Sequence, residues 1–236
     1  MSIKTQRLAS GQVYRVYEST TGETVLPIAP VVFYDDFLGD SLGAIWDTVD
    51  VGGASQALAA DASSGRYRLA LDATGEAQDS VLYFGNEKPF DVGNNLIWEA
   101  KLVITSASMT GIRLVAGMSG DHNLAKDSVT EAAWFSMDGS LLLTAESDDT
   151  TNDNDDVTTG TTWVTAAAHI LRIDFTTLSD VRFYLDDSAV ATGTTFDMSN
   201  LSASEQQMQP YFSLDKASGE TACNLDIDYV RVFGTR

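Results

Sequence analysis

The sequence predicts an all-β protein, an antiparallel β-sandwich with an N-terminal β-hairpin arm. Three observations lead there. Short stretches in which apolar and polar residues alternate recur along most of the chain, and a period of two marks strands with one buried face. Turn residues separate them, as in Ser63-Ser64-Gly65, Ala73-Thr74-Gly75, Asp138-Gly139, Asp186-Asp187 and Ser218-Gly219. No window carries an apolar stripe of three helical turns. Many short strands at even spacing build a sandwich or a barrel.

Residues 1–30 form the arm. Gln12-Val13-Tyr14-Arg15-Val16-Tyr17-Glu18 alternates as a strand, Ser19-Thr20-Thr21-Gly22-Glu23 turns, and Thr24-Val25-Leu26 is the expected return strand. Pro27 and Pro30 end regular pairing. An isolated hairpin is marginal in water, so the arm, with Val13, Tyr14, Arg15, Val16 and Tyr17, is expected to make an assembly contact. Residues 31–236 form the body, opening at Val31-Val32-Phe33-Tyr34-Asp35-Asp36-Phe37. Further strands are expected at 66–71, 80–84, 96–105, 111–118, 132–137, 140–145, 169–176, 180–186, 189–192, 208–214 and 222–233. In the last of these, Leu225, Ile227, Tyr229, Arg231 and Phe233 share one face, apolar except for Arg231. Asn224, Asp226, Asp228, Val230 and Val232 share the other.

Composition narrows the function. An apolar content of 44% is that of a folded protein. No apolar run is long enough to span a bilayer, and no apolar block follows the charged Met1–Arg7 segment, so no secretion signal is read. The net charge is −20. Lys4, Arg7 and Arg15 against Glu18 and Glu23 leave the first 30 residues at +1, so the other 206 carry −21. Such a body repels nucleic acid and anionic membranes. Cys223 is the single cysteine, read as a small buried hydrophobe on the last strand.

Four stretches carry a family resemblance. Asp35-Asp36-Phe37-Leu38-Gly39-Asp40-Ser41-Leu42, followed by Trp46, resembles the opening of many concanavalin A-like domains. Ile97–Ile104 resembles their long central strand. His169–Phe175 followed by Val181–Val190 resembles a recurring hairpin, and Leu225-Asp226-Ile227-Asp228-Tyr229-Val230-Arg231-Val232 resembles the closing strand. In this order, over residues 31–236, they resemble the concanavalin A-like lectin/glucanase family, which includes the laminarinase-type glycoside hydrolases. The resemblance implies a jelly-roll sandwich.

It also states where chemistry would sit. Glycoside hydrolysis needs two carboxylates flanking one bond. Laminarinase-type relatives supply them from one strand as Glu-x-Asp-x-Glu, and none of the glutamates here begins that pattern, so no catalytic residues are expected. His122 and His169 read as structural or solvated. Two histidines and one cysteine make no ordinary zinc site. The stretch Glu146-Ser147-Asp148-Asp149-Thr150-Thr151-Asn152-Asp153-Asn154-Asp155-Asp156 has no basic residue. It is read either as a solvated, self-repelling hairpin loop or as a calcium site using Asp148, Asp153 and Asp155. The resemblance offers Asp228 as a second calcium ligand, with carbonyls around 35–39; the alternative is an Asp228 that caps a turn or pairs with an arginine. Trp98 and Trp134 are expected in the core. Trp163 is the expected exposed platform for a glycan.

The expected function is structural: a virion protein of a tailed bacteriophage, a capsid decoration (cement) or head-fibre protein. Its arm adds strands to the major capsid protein, to other virion proteins or to sister subunits, a homo-oligomer being expected and a trimer favoured. No cofactor is expected to be required, a structural calcium being the one candidate, and neither nucleic acid nor membrane is an expected partner. The alternative is a carbohydrate-binding module or lectin that recognises a host-surface glycan.

Overall fold

The structure is a computed structural model. It describes residues 31–60 and 65–235, and the backbone of two arm strands. Those two, β1 (Ile3–Arg7) and β2 (Val13–Glu18), pair antiparallel, with Thr5 opposite Val16. The partner of the predicted 12–18 strand is thus the segment before it. The expected turn 19–23, the return strand Thr24-Val25-Leu26 and Pro27–Pro30 lie outside the described residues.

The body follows with β3 (Val31–Asp35), β4 (Asp47–Val51), β5 (Ser55–Leu58), β6 (Tyr67–Leu71), β7 (Gln78–Tyr83), β8 (Phe90–Asp91), β9 (Ile97–Ile104), β10 (Ile112–Ser119), β11 (Glu131–Asp138), β12 (Leu142–Asp149) and β13 (Asp153–Thr162). It ends with β14 (Ala168–Asp174), β15 (Arg182–Leu185), β16 (Ser188–Val190), β17 (Gln207–Lys216) and β18 (Cys223–Gly234). Sheet 1 runs β16-β15-β14-β9-β18-β6-β5, with β3 also on β18. Sheet 2 runs β13-β12-β11-β10-β17-β7-β4, with β8 also on β17. All body pairings are antiparallel. Together they make the predicted sandwich. Four strands escaped the sequence: β4, β5 and β8, which are short, and β13, whose ten residues are nearly all polar.

One apolar layer joins the sheets. Trp98, Leu102 and Ile104 on β9, Leu171 and Ile173 on β14, and Leu225 and Ile227 on β18 face Leu114 and Met118 on β10, Phe135 and Met137 on β11, and Phe212 and Leu214 on β17. Each is fully buried. Cys223 is also buried, as expected. At the entry to the body, Asp35 accepts from the Phe37 backbone N–H (2.8 Å) and from Trp46 Nε1 (2.7 Å). One carboxylate thereby caps a turn and anchors an aromatic that packs edge-on against Phe84.

The closing strand differs from its predicted register. Ile227 stands opposite Leu102, but Tyr229 stands opposite Lys101, so Asp228 is an extra residue in β18. This is a β-bulge, and it reverses which alternate positions face the core. Leu225 and Ile227 point inward before it, and Val230 and Val232 after it, while Tyr229 and Arg231 turn outward. The neighbour on the far side also changes there, from β6 along residues 223–227 to β3 along 230–234. The polar-then-apolar face read from the sequence is therefore two half-faces joined out of phase.

The outward side chains form a ladder of opposite charges across sheet 1. Asp226 holds Arg68 through two bonds of 2.6 and 2.8 Å. Glu99 takes Arg231 Nη2 and the Tyr229 hydroxyl, both at 2.7 Å. Asp228 Oδ2 lies 3.0 Å from Lys101 Nζ and 3.7 Å from Arg66 Nε. Deleting Asp228 brings Ile227 and Val230 two positions apart, so a regular strand would still bury both apolar pairs, and the cooperative transition should survive in a circular-dichroism melt. Asp228→Asn, which keeps the chain length and loses half-exposed ion pairs, should cost only about 1 kcal/mol.

Candidate functional site

The outer face of sheet 2 holds the candidate site. It is built on a second, smaller apolar cluster of Val81 and Tyr83 (β7), Val115 (β10), Ala132 and Trp134 (β11), Tyr211 (β17) and Val129. Gly117 lies between Trp134 and Tyr211 in register. A Cβ on Gly117 would come within 2.5 Å of the Trp134 Cα, so only glycine allows this approach. The two rings sit 6.1 Å apart, and His122 stacks on the far side of Tyr211 at 5.8 Å. His122 Nδ1 lies 2.7 Å from the Tyr211 hydroxyl. Burial lowers the His122 pKa and raises that of Tyr211, so the row is neutral at physiological pH.

Beside this row opens a cleft of about 220 Å³ lined by Arg113, Lys126, Asp127, Val129, Ala132, Trp134, Glu146, Ser147, Asp148, Asp153 and Asp155. Glu146 is buried beneath it. Its Oε2 accepts from Trp134 Nε1 at 2.5 Å, its Oε1 accepts from the Ser136 hydroxyl, and Arg113 Nη2 lies 3.9 Å away. Burial raises its pKa, against the pull of these donors. Arg113 also binds Asp127 at 2.6 Å. Burial pushes the Asp148 pKa up to about 6, aided by Asp153, Asp149 and Glu131. Burial and Asp153 raise that of Asp155. The cleft is thus an acidic slot with an indole and a guanidinium in its walls, shaped for hydrogen bonding to a polar ligand.

The sequence-predicted residues divide. Asp148, Asp153 and Asp155 do converge on the cleft, but on strands and not in a loop. Asp148 belongs to β12, Asp153 and Asp155 to β13, and the hairpin turns through residues 150–152. Asp149 points away and caps that turn, accepting from the backbone N–H of Thr151, Asn152 and Asn200. Among the described residues no cluster of three or more histidine, cysteine or acidic side chains has metal-binding geometry. Asp228 Oδ2 lies between two cations, 3.0 Å from Lys101 Nζ and 3.7 Å from Arg66 Nε, as the arginine-pairing reading expects. Trp163 is a correction. It is 3% exposed, packs in the main core, and meets the His169 ring edge-on at 4.6 Å. Flanking threonines made it look exposed, but the chain leaves β13 there and turns the indole between the sheets. Trp98 and Trp134 are buried as expected, Trp134 on the outer face of sheet 2 beneath the 120–130 strap.

Arg113, Trp134 and Glu146 were not singled out as site residues. A signal existed for Glu146: Glu146-Ser147-Asp148 fills the first two positions of the Glu-x-Asp-x-Glu pattern, on one face of β12, with Thr150 at the third. The arm residues Val13, Tyr14, Arg15, Val16 and Tyr17 lie on β2, but no side-chain description extends to them.

Two outcomes follow from these placements. Trp163→Ala should cost ~3–5 kcal/mol of stability in denaturant unfolding, as an emptied core site does. Burial holds the folded pKa of Asp148 at about 6 against the ordinary 3.8, so the folded chain keeps the proton longer and stability falls as pH rises through that window. Asp148→Asn retains an acceptor for the Thr150 N–H and removes the charge. Its melting temperature should exceed the parent's at roughly pH 8 and match it once the pH falls below the ordinary carboxylate value of 3.8; equal values at both would contradict the shift.

No protein-family model and no curated protein matches the chain. Solved structures do. The carbohydrate recognition domain of Emp47p aligns over 87% of this chain and 95% of its own, with a TM-score of 0.58 and 12% identity. A conserved carbohydrate esterase from the Shiga toxin-encoding bacteriophage phi24B aligns over 81% and 90%, at 0.52 and 15%. Rv0315 of Mycobacterium tuberculosis, an immunostimulatory antigen and pseudo β-1,3-glucanase, aligns over 86% and 98%, at 0.53 and 14%. The recognition domain of Emp46p, also similar, has potassium-bound and metal-free forms. At these identities the likeness is one of fold: the chain has the concanavalin A-like lectin/glucanase β-sandwich.

Proposed function

We propose that this chain is a carbohydrate-recognition β-sandwich carried on a tailed-bacteriophage particle, with the acidic cleft of sheet 2 receiving the sugar and the N-terminal arm making the attachment. The observation that carries the reading is the cleft. Its slot is walled by Trp134 and Arg113 and lined by the unsalted carboxylates of Asp148, Asp153 and Asp155, groups suited to sugar hydroxyls. The fold is shared with carbohydrate recognition domains and with a phage carbohydrate esterase. The cleft is read as binding and not cleaving, because Trp134 and Ser136 each donate to an oxygen of Glu146, which therefore serves as a fixed acceptor.

A second reading, a capsid decoration or head-fibre protein, rests on the arm. Its two strands pair with each other and, among the described residues, with no strand of the body. Their outer edges remain available for strand addition to a shell protein or a sister subunit.

A glycan array, followed by titration of the hits, tests the first reading. Binding should survive removal of residues 1–30 and weaken about tenfold or more in Asp155→Ala and Arg113→Ala. Silence across the array, or turnover of a bound polysaccharide, would overturn it. The second reading expects binding to purified phage capsids that disappears with residues 1–30, whatever the state of the cleft.

A further inference from the structure

The strap between β10 and β11, residues 120–130, drives a lysine into the sheet. Lys126 sits on a single 3-10 turn, Lys126–Ser128, yet its side chain is 1% exposed. Its Nζ lies 2.8 Å from Asp79 Oδ2 on β7 and 5.8 Å from the centre of the Tyr211 ring. Ser213 Oγ donates to the other oxygen of Asp79 at 3.0 Å and fixes its plane. Asp215 on β17 stands directly across from Asp79 in the ladder. Its Oδ1 is buried and accepts no hydrogen bond. Val129 and Gln209 hold the strap down, the first in the apolar cluster, the second donating to Gly120 O at 2.7 Å. A lysine and an aspartate are therefore paired on an apolar floor, with a second carboxyl opposite the aspartate in the ladder.

A buried ion pair alone accounts poorly for this arrangement. Taking an ammonium and a carboxylate from water costs several kcal/mol per ion, and the surplus carboxyl adds to that. Proton transfer within the pair gives the neutral amine and neutral acid, the species that can condense. We propose that Lys126 and Asp79 form an intramolecular isopeptide bond, with Asp215 as the proton carrier, which ties the strap covalently to β7.

The step balances. The ammonium passes a proton to the Asp79 carboxylate within the ion pair. The Nζ lone pair attacks Cγ and an Nζ–Cγ bond forms. Ionised Asp215 takes the second Nζ proton and delivers it to the departing hydroxyl. The Cγ–O bond breaks, one water leaves, and Asp215 returns to its starting state. Burial first, and then neighbouring Asp79, pushes the Asp215 pKa up to about 6 against the pull of Lys126, near the range where a carboxyl can both accept and donate. Close approach in a fixed geometry supplies the remainder of the acceleration.

The test is the denatured intact mass of the full chain, followed by peptide mapping. The expected mass is one water (about 18 Da) below that of the sequence, with a branched peptide joining Lys126 to Asp79. Lys126→Arg should show its full mass. Asp79→Asn should lose ammonia and reach the same linked product, and Asp215→Asn should keep its full mass after parent and variant are incubated alike. A parent chain at full sequence mass overturns the proposal, as does a water loss that maps elsewhere, such as Asp138-Gly139, or that persists in Lys126→Arg. Linkage of Asp215→Asn at the parent's rate removes Asp215 from the step. The parent measurement requires no variant to fold.

Discussion

The sandwich depends on the bulge that accommodates the single extra residue in β18. This strand lies at the middle of sheet 1, hydrogen-bonded to β9 along most of its length and to β6 and then β3 on the other side. Its two apolar pairs, Leu225 with Ile227 and Val230 with Val232, are separated by an odd step. A regular strand could bury only one pair. The bulge at Asp228 buries both, and it places on the outer surface the one residue whose backbone has no opposite partner on β9. The Asp228 side chain is then held by Lys101 and Arg66, so the irregularity is satisfied electrostatically. The same step moves Arg231 out of the core and within reach of Glu99.

The two sheets handle charge differently. On the outer face of sheet 1 Asp226, Asp228 and Glu99 each lie beside a cation, and the ladder Asp226–Arg68, Asp228–Lys101 and Glu99–Arg231 is close to balanced. On the outer face of sheet 2 the acids outnumber the bases. Arg113 and Lys126 are committed to Asp127 and Asp79, which leaves Asp148, Asp153 and Asp155 facing one another across the cleft. Raised pKa values in that cleft are the electrostatic record of this imbalance. Strained electrostatics of this kind concentrate at sites that meet a ligand, because structure alone gains nothing from them.

The strap explains why an aromatic row on an outer sheet face is buried. Trp134, Tyr211 and Tyr83 would be a broad apolar surface if residues 120–130 were lifted away. Lys126, Val129 and His122 cover it from above, while Arg113 and Asp127 close the rim. The cleft lies where this cover stops, between the strap and the β12–β13 hairpin.

What the chain determined locally was its alternation. The positions of β6, β7, β9 to β12 and β14 to β18, the sandwich class, the apolar layer of Trp98 and Leu171 and the buried Cys223 all follow from a period of two broken by turn residues. Where alternation is weak the sequence was silent: β13, spelled in Asp, Asn and Thr, is a strand because β12 offers it backbone partners, not because of its own side chains. Tertiary structure decided the rest. A bulge shifts phase by one residue and leaves no mark except an odd spacing. Trp163 is buried by a change of chain direction that its neighbours do not signal. Lys126 meets Asp79 across 47 residues and Arg68 meets Asp226 across 158, and no local pattern relates residues so far apart. The acidic run was visible as composition, but whether its carboxylates would scatter into solvent or converge depended on the pairing of β11, β12 and β13, which alone sets them on one face.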